Sequence, residues 1–242
     1  MSLAFFDIDG TLLPNPSLEL RFFWALFHRG KIPCGNCFRW VLRTLRLAAG
    51  HPPTALLANK MYLRGLSRNI FREIAERPQL FLPEFFPAAM QRVWWHALRG
   101  DHIALVSGTL APLAEMVKAA LERELLWRGV ERNIPVLATR IELHGGRCTG
   151  QVDGTPMFGR AKASAIAEFA RQQGIALEHS SAYGDQALDG WMLAAVGNPV
   201  AVNPSPGLCR AAQRHGWRVL HWQACPPRPG RQAPPWKGES AR

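Results

Sequence analysis

The chain has 242 residues, of which 48% are hydrophobic, and it carries a formal net charge of +11 at pH 7. The hydrophobic content excludes a wholly disordered chain, and the length allows one α/β domain plus a smaller insertion. The positive residues are scattered, without a compact basic cluster or a recognised nucleic-acid-binding motif. We interpret the charge as a solvated basic surface, and we expect no nucleic-acid partner.

Cysteine usage and hydropathy bear on the cellular compartment. The chain has five cysteines, an odd number in a chain too long to need disulfides, which favours a reducing compartment. A buried strand is predicted to begin at Leu3, which leaves no room for a signal peptide before it. No run of about 18 uncharged apolar residues occurs, so we predict no transmembrane helix. We expect a cytoplasmic protein, and peripheral membrane contact is the less favoured interpretation.

The first predicted elements are a strand and a long helical insertion. Leu3–Phe6 is a short apolar run that stops at Asp7, as is typical of a strand buried on both faces of a parallel sheet. The next such run, 102–106, begins about ninety residues later, and a crossover helix needs far fewer. The residues between them have helical spacing, with prolines as starts and stops. The helical segments are 18–27, 38–47, 56–66, 70–75 and 88–98.

The rest of the chain alternates between strands and helices, which predicts a doubly wound parallel sheet of the Rossmann-like α/β class. The predicted helices cover 110–127, 160–173, 187–195 and 206–215. The predicted strands cover 134–138, 179–183, 199–202 and 217–220. A hairpin of 140–144 and 147–152 is predicted at the Gly-Gly turn of residues 145 and 146.

These elements divide the chain into two domains and a tail. We predict an α/β core formed by residues 1–13 and 100–224. An all-helical cap, residues 14–99, is predicted to be inserted into this core. Residues 225–242 are rich in Pro, Gly and Arg and lack apolar periodicity, so we predict a disordered, basic, Pro-rich tail.

The first predicted helix of the cap is rich in aromatic residues. Aromatic residues at helical spacing usually pack inward. We therefore interpret these residues as core residues rather than as a lipid-binding surface: Phe22, Phe23, Trp24 and Phe27.

Polar residues stand at the points where several predicted strands end. Asp7, Ser107 and Asp185 each follow or end a different strand. Lys162 lies at the start of the helix that precedes the Asp185 strand. In open α/β sheets, ligands bind beyond the carboxyl ends of the strands. The sequence therefore predicts one polar site at this edge of the sheet.

Asp7 and Asp9 place two carboxylates on one side of an extended segment. Two anions held so close repel each other, and one would stay protonated unless a cation lies near them. Magnesium favours a few carboxylates together with water and phosphate oxygens. We therefore predict a Mg²⁺ site with Asp7, Asp9 and Asp185 as its ligands. In this interpretation Asp7 is the catalytic nucleophile, and Asp9 is the catalytic acid and base.

Phosphoryl transfer also needs groups that stabilise the oxygens of the transferring group. Ser107 supplies a hydroxyl, and Gly108 lets the backbone approach closely. Thr109 is predicted to begin a helix, whose terminal N–H groups favour an anion. Lys162 supplies a fixed positive charge. We therefore predict that Ser107, Gly108 and Lys162 bind phosphate.

These residues make the chain resemble the haloacid dehalogenase-like hydrolase superfamily, in the branch that includes phosphoserine phosphatases. The first motif of the family is matched by residues 7–11, and the second by residues 106–109. The lysine of the family is matched by Lys162, and the acidic motif by residues 183–189. Four motifs in this order and at this spacing are a specific signal. The resemblance extends over residues 3–222.

The resemblance implies further roles for the residues of the motifs. It implies that Asp7 becomes phosphorylated and that the backbone carbonyl of Asp9 joins the magnesium shell. Asp189 would be a nearby carboxylate that helps to hold the ion or Lys162. Thr11 would support the site as the last residue of the first motif.

The sequence departs from the pattern of that branch in two ways. Leu188 stands where phosphoserine phosphatases commonly carry Asn, and the cap has no clear match to their early acidic substrate-binding residue, for which Glu19 is a loose candidate. We predict a magnesium-dependent phosphatase that hydrolyses a phosphomonoester of a small metabolite through an aspartyl-phosphate intermediate. Two alternatives stay open. One is a phosphotransferase with the same intermediate, and the other is a non-catalytic protein that binds anionic membranes or nucleic acid.

Overall fold

The computed structural model describes residues 2–50, 57–78 and 81–222. The predicted tail, residues 225–242, lies outside these ranges. Within them, seven strands form a single sheet. The strands are β1 Leu3–Phe6, β2 His102–Leu110, β3 Val136–His144, β4 Arg147–Asp153, β5 Ser181–Gly184, β6 Asn198–Val202 and β7 Arg218–Leu220.

The order of the strands is β4-β3-β2-β1-β5-β6-β7. All neighbouring strands are parallel except β3 and β4, which form an antiparallel hairpin. The helices of the described ranges are α1 Leu18–His28, α2 Cys34–Gly50, α3 Asn69–Ala75, α4 Pro87–Leu98, α5 Ala111–Trp127, α6 Arg160–Gln173, α7 Gly190–Leu193 and α8 Pro206–His215. The predicted fold class, a doubly wound α/β sheet with a helical insertion, is confirmed.

The central strand β1 is buried on both faces, as its uninterrupted apolar sequence predicts. Successive side chains of a strand point to opposite faces of the sheet. Ala4 and Phe6 accordingly belong to the core cluster that also contains residues of α1, α3, α4 and α5. Leu3 and Phe5 belong to a second cluster, which contains residues of α6, α7 and α8. Helices therefore cover both faces of the sheet next to β1.

The prediction of a helix over 56–66 is wrong for the described part of this segment, which contains a 3₁₀ turn at Met61–Leu63. Tertiary contacts of two polar side chains explain the irregular backbone. The side-chain amide of Asn59 donates to the backbone carbonyl of Trp40 over 3.0 Å. Lys60 is also buried, and its ammonium group contacts Glu19. Intrinsic helical spacing is overridden where buried polar groups must meet distant partners.

Two other predicted boundaries differ from the structure. The predicted strands 134–138 and 140–144 are replaced by one continuous strand, β3, which begins at Val136 and pairs with β2 along its first half and with β4 along its second. The predicted helix 187–195 is split into a 3₁₀ turn, Ala187–Asp189, and the short helix α7.

The aromatic residues of α1 have different environments. Phe22 is fully buried, and the ring of Phe23 lies 5.6 Å from that of Trp40. Phe27 is 48% exposed, so its interpretation as a core residue is wrong.

None of the helices in the described ranges combines the length and hydropathy that a membrane span requires. The division into core and cap stays a prediction; within the predicted cap, α4 contacts the sheet through a hydrogen bond between His96 and Tyr183.

Candidate active site

The carboxyl ends of the central strands determine where the first motif lies. Phe6 is paired with Leu105 of β2 on one side and with Tyr183 of β5 on the other. Asp7 follows directly, and its backbone N–H donates to the carbonyl of Tyr183 over 3.0 Å. The segments after Leu105 and Tyr183 therefore flank Asp7, as expected at the carboxyl edge of a parallel sheet.

Lys162, near the start of α6, lies between two carboxylates. Its Nζ is 2.5 Å from Oδ1 of Asp7 and 2.7 Å from Oδ1 of Asp189, and all three residues are buried. Burial acts to lower the pKa of Lys162, but the charges of Asp189 and Asp7 raise it above its ordinary value. The lysine therefore stays protonated and places a positive charge against Asp7.

The second oxygen of Asp189 holds the loop that follows β5. Its Oδ2 accepts hydrogen bonds from the backbone N–H groups of Asp185, over 3.1 Å, and Gln186, over 2.9 Å. Gly184 makes this approach possible, because a Cβ there would lie 2.6 Å from the Cβ of Asp189. Asp189 therefore orients Lys162 with one oxygen and the loop that carries Asp185 with the other.

Three buried carboxylates converge at this edge of the sheet. Asp7, Asp185 and Asp189 each offer one oxygen, and these oxygens lie within 4.8 Å of one another. Burial raises the pKa of Asp7 well above its ordinary value; Lys162 opposes this shift, and the charges of Asp189 and Asp185 add to it. Burial and then the charge of Asp189 raise the pKa of Asp185 to about 7. The site thus concentrates more negative charge than one lysine balances.

These residues fit a divalent cation. Oδ1 of Asp185 is buried and has no hydrogen-bond partner among the described residues, which is uncommon for a buried carboxylate oxygen. Mg²⁺ takes oxygen ligands, of which one or two are usually carboxylates. One predicted ligand needs correction, because the carboxylate of Asp9 lies outside the acidic group. The carboxylate of Asp9 is held by other hydrogen bonds, so Asp9 could bind the ion only through its backbone carbonyl.

Gly10 lets the first motif approach Asp185. Its φ angle is +80°, a conformation that glycine adopts without steric cost. A Cβ at this position would lie 2.2 Å from Oδ2 of Asp185. A side chain here would therefore displace the Asp185 carboxylate from the acidic group.

Asp9 is oriented by two hydrogen bonds of 2.6 Å. Its Oδ1 accepts from the backbone N–H of Leu18, and its Oδ2 accepts from the hydroxyl of Thr109. Burial raises the pKa of Asp9, while these two hydrogen bonds act to lower it. A raised pKa favours the protonated form of Asp9, which is the form that can donate a proton. Because Leu18 is the first residue of α1, Asp9 also connects the sheet to the cap.

The second motif lies within β2. Ser107 is buried, and its Oγ accepts from the backbone N–H of Thr109 over 3.2 Å. The prediction that Thr109 begins a helix is wrong, because β2 continues to Leu110 with a shift of register against β3. Phe158 packs over the backbone of Gly108, where a Cβ would lie 1.9 Å from the phenyl ring. No hydrogen bond joins the Ser107 side chain to Asp7 or Lys162 in this structure.

Thr11 ends the first motif in a fully buried position. Its hydroxyl has no hydrogen-bond partner among the described residues. The turn around it is closed by the backbone N–H of Gly10, which donates to the carbonyl of Leu13 over 2.7 Å. Thr11 is thus buried within this turn, and its hydroxyl is not bonded to the site carboxylates.

The cap contributes a second polar cluster close to Asp9. Glu19 follows Leu18 in α1, and its two carboxylate oxygens lie 2.6 and 2.7 Å from Nζ of Lys60. The hydroxyl of Tyr62 donates to the same carboxylate over 3.0 Å. Lys60 and Tyr62 are buried. Glu19, the sequence candidate for binding substrate in the cap, is therefore already paired within the protein.

Three side chains make contacts at or near the site that the sequence analysis does not predict. Thr109 was expected at a helix start rather than as the donor to Asp9. The side-chain amide of Gln186 donates to Oδ2 of Asp185, and its place inside the acidic motif was the available signal. Lys60 had no such signal, because its partner Glu19 is 41 residues away in sequence.

The chain is similar to one protein family and to several known proteins. A model of the family described as haloacid dehalogenase-like hydrolase matches residues 4–194. A protein of Streptomyces azureus, named for inhibition of morphological differentiation, is 34% identical over 229 residues, which cover 90% of this chain and 77% of that protein. The phosphoserine phosphatase SerB1 of Mycobacterium tuberculosis is 32% identical over 226 residues, which cover 89% of this chain and 69% of that protein.

A solved structure is similar over nearly the whole chain. It belongs to a protein of unknown function from Bordetella pertussis Tohama I, with 30% sequence identity and a TM-score of 0.71. The match covers 90% of this chain and 97% of the Bordetella chain. The similarity therefore extends over the sheet and its helical insertion.

Proposed function

Because this chain belongs to the haloacid dehalogenase-like hydrolase family, we propose that it is a magnesium-dependent phosphatase that forms an aspartyl-phosphate on Asp7. The family and the enzyme class identified from the four motifs are confirmed by the comparisons. The proposal rests on one observation above all. The Asp7 carboxylate is held 2.5 Å from the Lys162 ammonium group, beside the buried carboxylates of Asp185 and Asp189. A phosphoryl group that approaches the Asp7 carboxylate would therefore lie next to the positive charge of Lys162, which would stabilise its oxygens.

In the first half of the reaction, an oxygen of Asp7 attacks the phosphorus atom of a phosphomonoester. A bond forms between this oxygen and phosphorus while the bond from phosphorus to the leaving oxygen breaks. Asp9 donates its proton to the leaving oxygen, and the product alcohol departs. The hydrogen bonds from Leu18 and Thr109 hold the Asp9 carboxyl group in a fixed orientation for this transfer.

In the second half, water attacks the phosphorus atom of the aspartyl-phosphate. Asp9, now a carboxylate, accepts a proton from the water, and the bond between phosphorus and the Asp7 oxygen breaks. Inorganic phosphate leaves, and Asp7 returns to its starting form. The two proton transfers at Asp9 are opposite in direction, so the enzyme is restored after each turnover.

Other residues of the site would stabilise the oxygens of the transferring group. Lys162 supplies positive charge, and Ser107 and the backbone at Gly108 supply hydrogen-bonding groups on the neighbouring strand. Mg²⁺ would be held by the carboxylates of Asp7 and Asp185 and the backbone carbonyl of Asp9, where it would neutralise charge on the phosphoryl oxygens. Asp189 would keep Lys162 and the Asp185 loop in place.

We propose a small phosphorylated metabolite as the substrate. Phosphoserine belongs in a substrate screen because of the relative named phosphoserine phosphatase. The pairing of Glu19 with Lys60 argues against a free cap carboxylate that would bind an amino group. The cap in this structure therefore favours substrates that need no ammonium group for recognition.

The proposal is tested by hydrolysis of an aryl phosphate with and without Mg²⁺. We expect activity that EDTA abolishes and that Mg²⁺ restores. The Asp7→Asn variant should lose activity by about a thousandfold or more, because an amide is a poor nucleophile. Asp153→Asn, a change at an exposed carboxylate of β4, is the matched control. Equal turnover in the wild-type protein and Asp7→Asn would exclude Asp7 as the nucleophile.

A further inference from the structure

Helix α2 presents a row of apolar side chains to solvent. Phe38 is 70% exposed, Val41 48% and Leu45 63%. Their spacing of three and four residues places them on one face of the helix. A row of this kind is unusual on the surface of a folded protein, where contiguous exposed apolar residues mark an interaction surface.

This row is not the side of α2 that packs on the protein. Cys37 and Trp40 pack against the main core cluster. Thr44 lies on the same side, where its hydroxyl accepts a hydrogen bond from the side-chain amide of Asn59 over 2.9 Å. The helix therefore has one apolar side turned inward and a second apolar side turned outward.

A row of arginines lies beside the outward apolar face. Arg39, Arg43 and Arg46 follow a spacing of four and three residues, which places them together along the helix. The helix contains no acidic residue. Within the described part of the chain, none of the three arginines has an ion-pair partner. The positive charge of this face is thus not balanced locally.

Helix α1 also carries an exposed aromatic ring, Phe27, although its ring contacts lead to the inward side of α2. The ring of Phe23 lies 5.6 Å from Trp40 of α2 and 6.1 Å from Phe27. Phe27 is 48% exposed. Through Phe23, the exposed ring of α1 is linked to the packed side of α2.

We propose that the outward face of α2 docks the cap on an anionic lipid membrane. A helix with aromatic and aliphatic residues on one face and arginines beside it can lie in the membrane interface, with its apolar side chains among the acyl chains. The arginines would contact anionic headgroups, and their long side chains allow the charge to remain at the surface. At 17 residues, α2 is about 25 Å long, which gives several turns of contact. The charge row favours this occupant over a second copy of the basic chain.

The experiment measures binding of the 242-residue chain to sedimented vesicles. Vesicles of phosphatidylcholine alone are compared with vesicles that also contain phosphatidylglycerol. We expect binding to the anionic vesicles that weakens as salt concentration rises. The double variant Phe38→Ser/Leu45→Ser should bind the anionic vesicles at least about tenfold more weakly, because it removes the two most exposed apolar side chains of the row.

A matched control changes exposed apolar residues elsewhere. Leu126 is 60% exposed and Trp127 87% exposed at the end of α5. Leu126→Ser/Trp127→Ser should bind the anionic vesicles within about twofold of the wild-type protein if α2 is the contact surface. Each removal of Arg39, Arg43 or Arg46 by substitution with Gln should weaken binding on the order of fivefold.

Unchanged binding of Phe38→Ser/Leu45→Ser, or no binding of the wild-type protein, would overturn the proposal. So would a concentration-dependent dimer that this double variant abolishes, since α2 would then be covered by a second copy. The proposal would also fail if the wild-type protein bound RNA and not vesicles, and if Phe38→Ser/Leu45→Ser bound RNA equally well. The arginines of α2 would then serve nucleic-acid binding instead. Circular dichroism and aryl phosphate hydrolysis verify that each variant is folded.

Discussion

Lys60 Nζ lies 2.6 and 2.7 Å from the two carboxylate oxygens of Glu19. The lysine is buried, and Tyr62 donates a further hydrogen bond to the same carboxylate. Glu19 directly follows Leu18, whose backbone N–H contacts Asp9. An ammonium group of a substrate would therefore have to compete with Lys60 for this cap carboxylate.

Removal of this lysine should change substrate preference. We expect Lys60→Met to raise kcat/KM for O-phosphoserine relative to that for an aryl phosphate by roughly tenfold, because the free Glu19 carboxylate gains a charge-assisted hydrogen bond to the substrate amine. Lys31→Met, at an exposed ion pair with Glu73, is the control. An unchanged ratio in Lys60→Met, with aryl phosphatase activity retained, would contradict this account of the cap.

Asp189 should support catalysis without reacting itself. Asp189→Asn replaces one oxygen that accepts hydrogen bonds from Lys162 or the Asp185 loop with an amide that donates them. We expect kcat to fall about 10- to 100-fold, and the Mg²⁺ concentration for half-maximal activity to rise, as for other residues that orient metal ligands. Steady-state kinetics across a magnesium titration provide the measurement. If Asp189→Asn had the wild-type kcat and the wild-type Mg²⁺ requirement, the supporting role of Asp189 would be contradicted.

Thr109 should act through the orientation of Asp9. Thr109→Val keeps the volume of the side chain but removes the hydroxyl that donates to Oδ2 of Asp9 over 2.6 Å. We expect a loss of roughly tenfold in kcat with little change in KM, because the acid loses one of its two hydrogen bonds. Thr109→Ser restores the donor and should recover most of the activity. Equal defects in the two variants would indicate a packing effect instead.

His96 should make stability depend on pH. Its Nδ1 is 2.7 Å from Asp101 and its Nε2 is 2.8 Å from the hydroxyl of Tyr183. Burial lowers the pKa of His96 below its ordinary value, although Asp101 acts to raise it. When pH falls below about 6.5, the unfolded chain binds a proton that the folded protein excludes. The stabilisation is therefore full above that pH and is lost as pH falls towards the lowered pKa.

Urea unfolding at a series of pH values tests this linkage. Between pH values of about 7 and 5, we expect the free energy of unfolding of the wild-type protein to decline more steeply than that of His96→Gln. The variant should also be less stable at neutral pH by roughly 1–3 kcal/mol, because buried hydrogen-bonding groups lose their matched partner. His102→Gln changes an exposed histidine and is the control. Parallel pH profiles for the wild-type protein and His96→Gln would refute the linkage.

The location of the acidic group could be predicted because it depends on short segments next to apolar strands. Leu3–Phe6 is apolar without interruption, so it could be identified as a central strand with Asp7 at its carboxyl end. Asp185 follows a second strand of the same sheet. Parallel strands bring such ends together, whatever the length of chain between them.

The contacts of the cap could not be predicted in this way, because they join segments without a shared register. The bond from Leu18 to Asp9 uses a backbone N–H, which is present at nearly every residue and leaves no mark in the sequence. Lys60 lies within a segment with apparent helical spacing, yet its backbone is irregular because the side chain reaches Glu19. The predicted end of β2 is also wrong, because Thr109 stays in the strand through a local shift in pairing.

The contact between Leu18 and Asp9 has a mechanical consequence. Leu18 begins the first helix of the inserted segment, whereas Asp9 follows the central strand of the sheet. A swing of that helix away from the sheet would remove one of the two restraints on the proton donor. Asp9 would then keep only the hydrogen bond from Thr109, so the orientation of the proposed proton donor depends on the position of α1.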